Sequence, residues 1–345
     1  MATTLSRRRV LKSGAALAAI PFSLWFDEYA KADTPMVRYS LASAQGAAMR
    51  AKYATAIAIM MTKGEQDACS WPSQWYTHAI PTYTNKADEI AKLELLKLAS
   101  PPKATTVQID LAKEIWNTCQ AHMAGSVEDY FLPWHRMFVY FFERIVRKTL
   151  NDPTFTLPYW DYTDVTQRSV PHAFRSPANS SNPLFRDDRD SNAGLPIDHD
   201  YSASTSPINL AAMKWADYAD FNSTLDLGLH GAVHVLVGTI TGMGRIEFAG
   251  RDALFWMHHC NIDRIWASWN KAGGTNPTTA SWLNRQFIFA DENCNRVVAT
   301  IALSFCRSAG RVPARGAQQS VVPFPIAALR TTPSHPAAAS AAGKS

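Results

Sequence analysis

Apolar positions along this chain recur mostly at helical spacing. Residues 45–65, QGAAMRAKYATAIAIMMTKGE, predict one long helix. NKADEIAKLELLKLA (residues 85–99) predicts a second, with Ile90, Leu93 and Leu96 or Leu98 on its apolar side, and TTVQIDLAKEIWNTC (105–119) a third. The clearest pattern is LPWHRMFVYFFERIVRKTL (132–150), where Pro133 suits a first helical turn. There His135, Phe138, Val139, Phe142 and Val146 share a face, and Arg136, Glu143, Arg144 and Arg147 fall mostly off it. Helical spacing returns in LDLGLHGAVHVLVG (225–238) and in RDALFWMHHCNIDRIWASWNKAG (251–273), the latter ended by Gly273 and Gly274. Before these, residues 165–210 are dominated by Ser, Asn, Asp and Pro and read as a long surface excursion. QFIFADENCNRVVATIAL predicts two short strands around a turn. The chain is therefore expected to be mainly α, with long loops and a few short β-strands.

Composition narrows the class. The 345 residues are 47% hydrophobic and 18% charged, which is a globular composition with a heavy aromatic load. The net charge is +5, and part of that excess lies in the first twelve residues. No basic stripe interleaved with aromatics occurs elsewhere, so no nucleic-acid partner is expected.

The N-terminus places Arg7, Arg8 and Arg9 before an apolar stretch from Ala15 to Phe26, followed by the small-x-small pattern AKA ending at Ala32. That order is the layout of a signal peptide, and SRRRVLK resembles a twin-arginine export signal. Residues 1–32 are read as that signal, 33–310 as one domain, and the Ala/Pro/Ser-rich residues 311–345 as a poorly ordered tail. An exported, periplasmic or secreted protein follows, with no membrane span once the signal is removed. The five cysteines, Cys69, Cys119, Cys260, Cys294 and Cys306, contain no CxxC pair. A zinc knuckle or thioredoxin-type motif is therefore not expected.

The chemistry lies in the histidines. In HGAVH, His230 and His234 are four apart, so on a helix their rings share a face about 6 Å apart along the axis and can chelate one metal ion. No Glu follows His230, which excludes the zinc-protease motif. His135 lies on an apolar helix face, and His259 shares a stripe with Phe255, Ile262 and Trp266. His258 forms another stripe with Leu254 and Ile265, so helix geometry leaves open which of the adjacent pair serves. Facing helices can bring such histidines together in a bundle core. Imidazole-only ligation favours copper or zinc over a di-iron site, which uses Glu and Glu-x-x-His. His172, His199 and His335 sit in polar, proline-containing segments and read as surface residues. Asp263 and Arg264 read as an ion pair or as helix-end contacts.

FLPWHRMFVYFFERIV, TLPYWDYTD, HGAVH and DALFWMHHCNIDRIWASW together closely resemble the tyrosinase and polyphenol oxidase family, from about Ser70 to Phe289. The resemblance implies a four-helix bundle core holding two copper ions, three histidines to each. It assigns His78, His122 and His135 to the first copper and His230, His234 and His259 to the second. His258 then becomes a neighbour of the ligands, as does Phe255, which is expected to stack on a ligand ring. The spacing from His122 to His135 is longer than is usual in the family. Some relatives crosslink a cysteine to the second ligand, and Cys119, three positions before His122, is the candidate for such a thioether.

The activity implied is O2-dependent oxidation of small phenols. An o-diphenol would leave as the o-quinone, and a monophenol such as tyrosine could also be hydroxylated at the ortho position. Where relatives proficient in hydroxylation often carry Asn after the first ligand of the second copper, this chain has Gly231. Asp226, four residues before His230, is the candidate base, or else a helix N-terminal charge. Diphenol oxidation is thus the expected main reaction. A hemocyanin-like O2 carrier and an o-aminophenol oxidase are the alternatives. The short tail leads us to expect activity without processing beyond the signal.

Overall fold

The ends of the helices show how the sequence sets them. The computed structural model describes residues 36–64, 67–78, 106–120, 130–190 and 193–305. The signal and tail readings, and the helix expected at 85–99, lie outside these residues. Helix α1, Ala44–Met61, is capped by Ser43, whose hydroxyl accepts from the Gly46 N–H at 3.0 Å. Gly46 is required there, because a Cβ would lie 1.9 Å from the Ser40 carbonyl oxygen. Helix α2 is Thr106–Thr118. Helix α3, Phe131–Leu150, ends on Asn151 in the left-handed conformation (φ 50°), with Arg147 and Lys148 facing its negative end. Helix α4 is Tyr218–Leu225 and α5 is Gly231–Val237, joined by one wide turn over Asp226–His230. Helix α6, Ala253–Lys271, is followed by Gly273 at φ +105°.

Helix α3 is central and packs against both α1 and α6. Phe142 of α3 stacks on Trp256 of α6, with ring centroids 3.6 Å apart, and the Tyr53 hydroxyl of α1 donates to the Ala253 carbonyl at 3.0 Å. The helical core matches the expected class, as do the strands. Strand β1, Gln286–Ala290, pairs antiparallel with β2, Arg296–Thr300, and lies against α2. A disulfide from Cys69 to Cys294 ties the hairpin turn to the segment preceding the short helix Trp71–Tyr76.

Three expectations change. Arg136 and Glu143 do not lie at the surface; they are buried in an ionic network. Arg136 Nε reaches Asp263 at 2.5 Å, Arg38 bridges Glu143 at 2.9 Å and Asp263 at 3.1 Å, and Arg147 closes on Glu143. Asp263 therefore pairs with Arg136 and Arg38, while Arg264 pairs with Asp161 at 2.5 Å. The two chain neighbours face different partners because consecutive helical residues diverge by about 100°. The excursion over 165–210 is also no mere surface loop. It buries Val170, Phe174, Leu184, Ile197 and Ile208 in the main core. Its Arg189 grips Asp252, the N-cap of α6, through two contacts of 2.6 Å with both side chains sequestered from solvent. Among the described residues no helix is long and apolar enough to cross a membrane.

Candidate metal centre

Five elements deliver histidines to one buried region. His78 follows the short helix Trp71–Tyr76, His135 lies on α3, His230 closes the wide turn, His234 is on α5, and His258 and His259 are on α6. All six are buried. His122 and its proposed thioether lie outside the described residues. His172 and His199 are exposed, as expected.

Four of these rings are oriented by backbone carbonyls. Nδ1 of His78 donates to Ile246 O at 3.0 Å, His135 to Phe131 O at 2.9 Å, His230 to Asp226 O at 3.2 Å and His234 to Met243 O at 2.8 Å. A carbonyl can only accept, so each Nδ1 carries the proton and each Nε2 keeps a lone pair. Those lone pairs face each other. Nε2 of His78 and His135 are 3.3 Å apart, and Nε2 of His230 and His234 are 3.0 Å apart. Two acceptors so close repel, and neither contact is a hydrogen bond. The spacing instead suits two nitrogens on one ion, since ligands at ~2.0–2.1 Å in tetrahedral array sit about 3.3 Å apart.

His259 belongs to both groups. Its candidate ligand atom lies within 4.8 Å of those of His78 and His135, and likewise in a group with His230, His234 and His258. Its ring stacks on His135 at 4.2 Å and 5°, and neither of its ring nitrogens has a hydrogen-bond partner. Burial, followed by the charges of neighbouring histidines, holds both His258 and His259 well below the usual imidazole pKa, so their neutral forms prevail. A buried, neutral, unpartnered imidazole is the state a metal requires of its ligand.

Aromatic rings set the spacing. Phe131 lies 4.5 Å from both His135 and His230, wedged between one ring of each group. Phe255 lies 4.3 Å from His259, tilted by 47°, and 4.8 Å from His78, edge-on at 76°, so it touches both imidazoles but, contrary to expectation, stacks on neither. Asp226 is buried, with Oδ1 2.9 Å from His230 Nδ1. It thus faces the ring of the residue four positions after it; the Nδ1 proton goes to the Asp226 carbonyl, and Oδ1 makes no hydrogen bond there. The Cys119 thiol donates to the His78 carbonyl. Gly231 stands directly under this arrangement, where a Cβ would approach Asp226 O to 3.3 Å. A groove of about 650 Å³ runs beside α5, lined by Leu227, Gly228, Gly231, Ala232 and Val235 among others.

Sequence reasoning missed Tyr162, whose hydroxyl meets His258, and the wedge Phe131. Both lie in motifs quoted above, but only the folded chain shows which ring each touches.

A family model described as the common central domain of tyrosinase matches residues 68–202 and 175–272. A tyrosinase of Hahella sp. (strain CCB-MM4) is 30% identical over 269 residues, covering 70% of this chain and 55% of its own. The latent form of a chloroplastic polyphenol oxidase of Prunus armeniaca is 31% identical over 219 residues, covering 52% of this chain and 36% of its own. Among solved structures, latent apple tyrosinase aligns with a TM-score of 0.58 at 26% identity, covering 81% of this chain and 62% of that one. Recombinantly expressed latent aurone synthase, a polyphenol oxidase, aligns with a TM-score of 0.60 at 25% identity, covering 78% and 55%. The chain thus spans about half, or less, of the length of these two curated relatives.

Proposed function

The chain belongs to the tyrosinase family, and from that premise we propose that it is a dicopper polyphenol oxidase that uses O2 to oxidise o-diphenols to o-quinones. The observation that carries this reading is the pair of imidazole groups meeting at His259, with lone pairs opposed at 3.0 and 3.3 Å. A set of neutral imidazoles without carboxylate suits copper in both oxidation states. His78 and His135, with His122, would hold the first copper; His230, His234 and His259 would hold the second. The bound metals supply the electron transfer. Two diphenols give up four electrons and four protons, and one O2 becomes two waters.

The protein's own residues have narrower tasks. The four carbonyls fix each ligand's tautomer, which raises metal affinity. Phe131 and Phe255 exclude water and keep the rings apart. The Asp226 carbonyl orients the His230 ring, and the Asp226 carboxylate places a negative charge beside Nδ1 that would strengthen the lone pair on Nε2. Gly231 offers no side chain to orient a water, so diphenol oxidation is the main reaction. Hydroxylation of monophenols such as tyrosine would depend on Asp226 taking a phenol proton. Residues 1–32 would direct export by a twin-arginine-type signal, leaving a mature chain that begins after Ala32, as intact mass would report.

The deciding experiment is copper reconstitution followed by catechol-dependent O2 uptake. Two coppers per chain and one O2 consumed per two quinones support the reading. Reversible O2 binding with catechol left intact would replace it with an oxygen carrier, and fewer than two bound coppers would remove the six-histidine assignment.

A further inference from the structure

His258 is oriented differently from its neighbours. Its Nδ1 lies 2.9 Å from the Tyr162 hydroxyl, and both side chains are fully buried. A phenol can donate or accept, so the contact alone does not fix the tautomer. Burial does. A buried tyrosine O–H needs an acceptor; the Asn261 side chain also meets the Tyr162 oxygen, but its amide oxygen is taken by Arg264 and it can only donate there, which leaves His258 Nδ1 as the acceptor. The phenol keeps its proton, because burial pushes Tyr162 well above its ordinary pKa. Donation into the Nδ1 lone pair places the imidazole proton on Nε2. This is the opposite of His78, His135, His230 and His234, where a carbonyl forces the proton onto Nδ1.

The Nε2 of His258 is buried without a hydrogen-bond partner. The ring stacks on His230 at 5.3 Å and 12°, and meets His234 edge-on at 4.8 Å and 89°. It therefore sits against both members of the HGAVH pair. A polar N–H in that position is costly unless something there accepts a hydrogen bond from it.

We infer that Tyr162 sorts the adjacent histidines of FWMHHC by tautomer. His259 offers a lone pair and is the ligand. His258 offers an N–H, and that donor forms a subsite for a small anion, such as azide, a halide or hydroxide, held at the second metal site. Tyr162 is a positioning residue, acting through His258. The inference deepens the two-site copper reading above and rests on it for the anion.

The test is azide titration of the copper-loaded full-length chain, read by absorbance, in wild type, Tyr162→Phe, His258→Phe and His258→Gln. All four should carry two coppers. Tyr162→Phe and His258→Phe should raise the azide Kd about tenfold or more, the worth of a hydrogen bond to a charged partner. His258→Gln, which keeps an N–H near the same place, should recover most of the affinity. Unchanged azide affinity in both Phe variants overturns the inference, and so does loss of one copper in His258→Phe, which would make His258 a ligand. A wild type that fails to bind two coppers counts against the two-site reading instead. In that case 15N-histidine NMR of the metal-free chain decides the tautomer. His258 should be protonated at Nε2 and should change on Tyr162→Phe; an Nδ1–H form overturns the proposal.

Discussion

At the scale of single residues, what matters is which atom of each side chain is engaged. Asp226 stands four positions before His230, a spacing that offered either a base or a helix-end charge. Its carboxylate lies 2.9 Å from His230 Nδ1. Asp226→Asn should therefore weaken copper at the second site about 10–100-fold, the usual effect of removing an outer partner of a ligating histidine. Competition with a chelator measures this, and an unchanged affinity would leave Asp226 as a base or a structural charge. Cys260 gives a contrasting case. Burial pushes its thiol up to about 12, with Arg38 opposing and Glu143 and Asp263 adding to the rise. Iodoacetamide at neutral pH should leave Cys260 unmodified until the protein is unfolded, because the thiolate is the reactive form. Prompt modification in the native state, read by peptide mass, would show that this part of the core opens readily.

At the scale of elements, α6 is the piece on which the site depends, and its start is held by a residue from a distant loop. Arg189 grips the N-cap Asp252 in a fully buried pair and also donates to the carbonyls of Phe174 and Leu184. Arg189→Met would leave Asp252 buried without its partner, a loss of about 3–5 kcal/mol. It should also loosen the register of His258 and His259, which lie about two turns of helix beyond that cap. Urea unfolding gives the first quantity and copper stoichiometry the second. A stability change below about 1 kcal/mol would mean that the pair is replaceable by packing. The excursion carrying Arg189 was not readable as structural from its sequence. Its composition is that of a loop, and only the fold brings its few apolar residues and one arginine against the core. Helices α1, α2, α3 and α6 were legible, since their apolar positions recur at the helical period; α4 and the helix Trp71–Tyr76 were not, and the helix expected over 225–238 is broken by the wide turn at Asp226–His230.

At the scale of the whole molecule, two long-range devices hold the elements together. One is the network of Arg38, Arg136, Glu143, Arg147 and Asp263, which joins the N-terminal segment to α3 and α6. Burial alone would raise the Glu143 pKa, but Arg38, Arg147 and the Leu157 N–H outweigh it and hold the carboxyl below its usual value. A carboxylate with a depressed pKa stabilises the fold fully above its unfolded value of about 4.3. That contribution fades as the pH falls from there through the folded value. The stability gap between wild type and Glu143→Gln should thus be widest near neutrality and narrow below about pH 4. A gap independent of pH in urea unfolding would show that the carboxylate charge contributes nothing. The second device is the Cys69–Cys294 disulfide, closing a sequence separation of 225 residues. Its reduction should lower stability by about 2–4 kcal/mol, seen as a lower unfolding temperature with dithiothreitol than without. An unchanged temperature would assign the hold on the hairpin to packing alone.

The sequence by itself determined the helical class and the strand pair, and marked His135, His230, His234 and the pair His258 and His259 as candidate metal ligands, because period and spacing are local properties of the chain. It left His258 and His259 equivalent, since both lie on apolar stripes of one helix. The tertiary structure gives them different surroundings. It set Tyr162 against His258 Nδ1 and left His259 between two imidazole groups. It also supplied the carbonyls of Ile246 and Met243 that fix His78 and His234. A hydrogen-bond partner 168 residues away in the chain, as Ile246 is from His78, leaves no periodic trace in sequence. The tautomer of a buried ring is chosen by such partners, and those partners meet only in the fold.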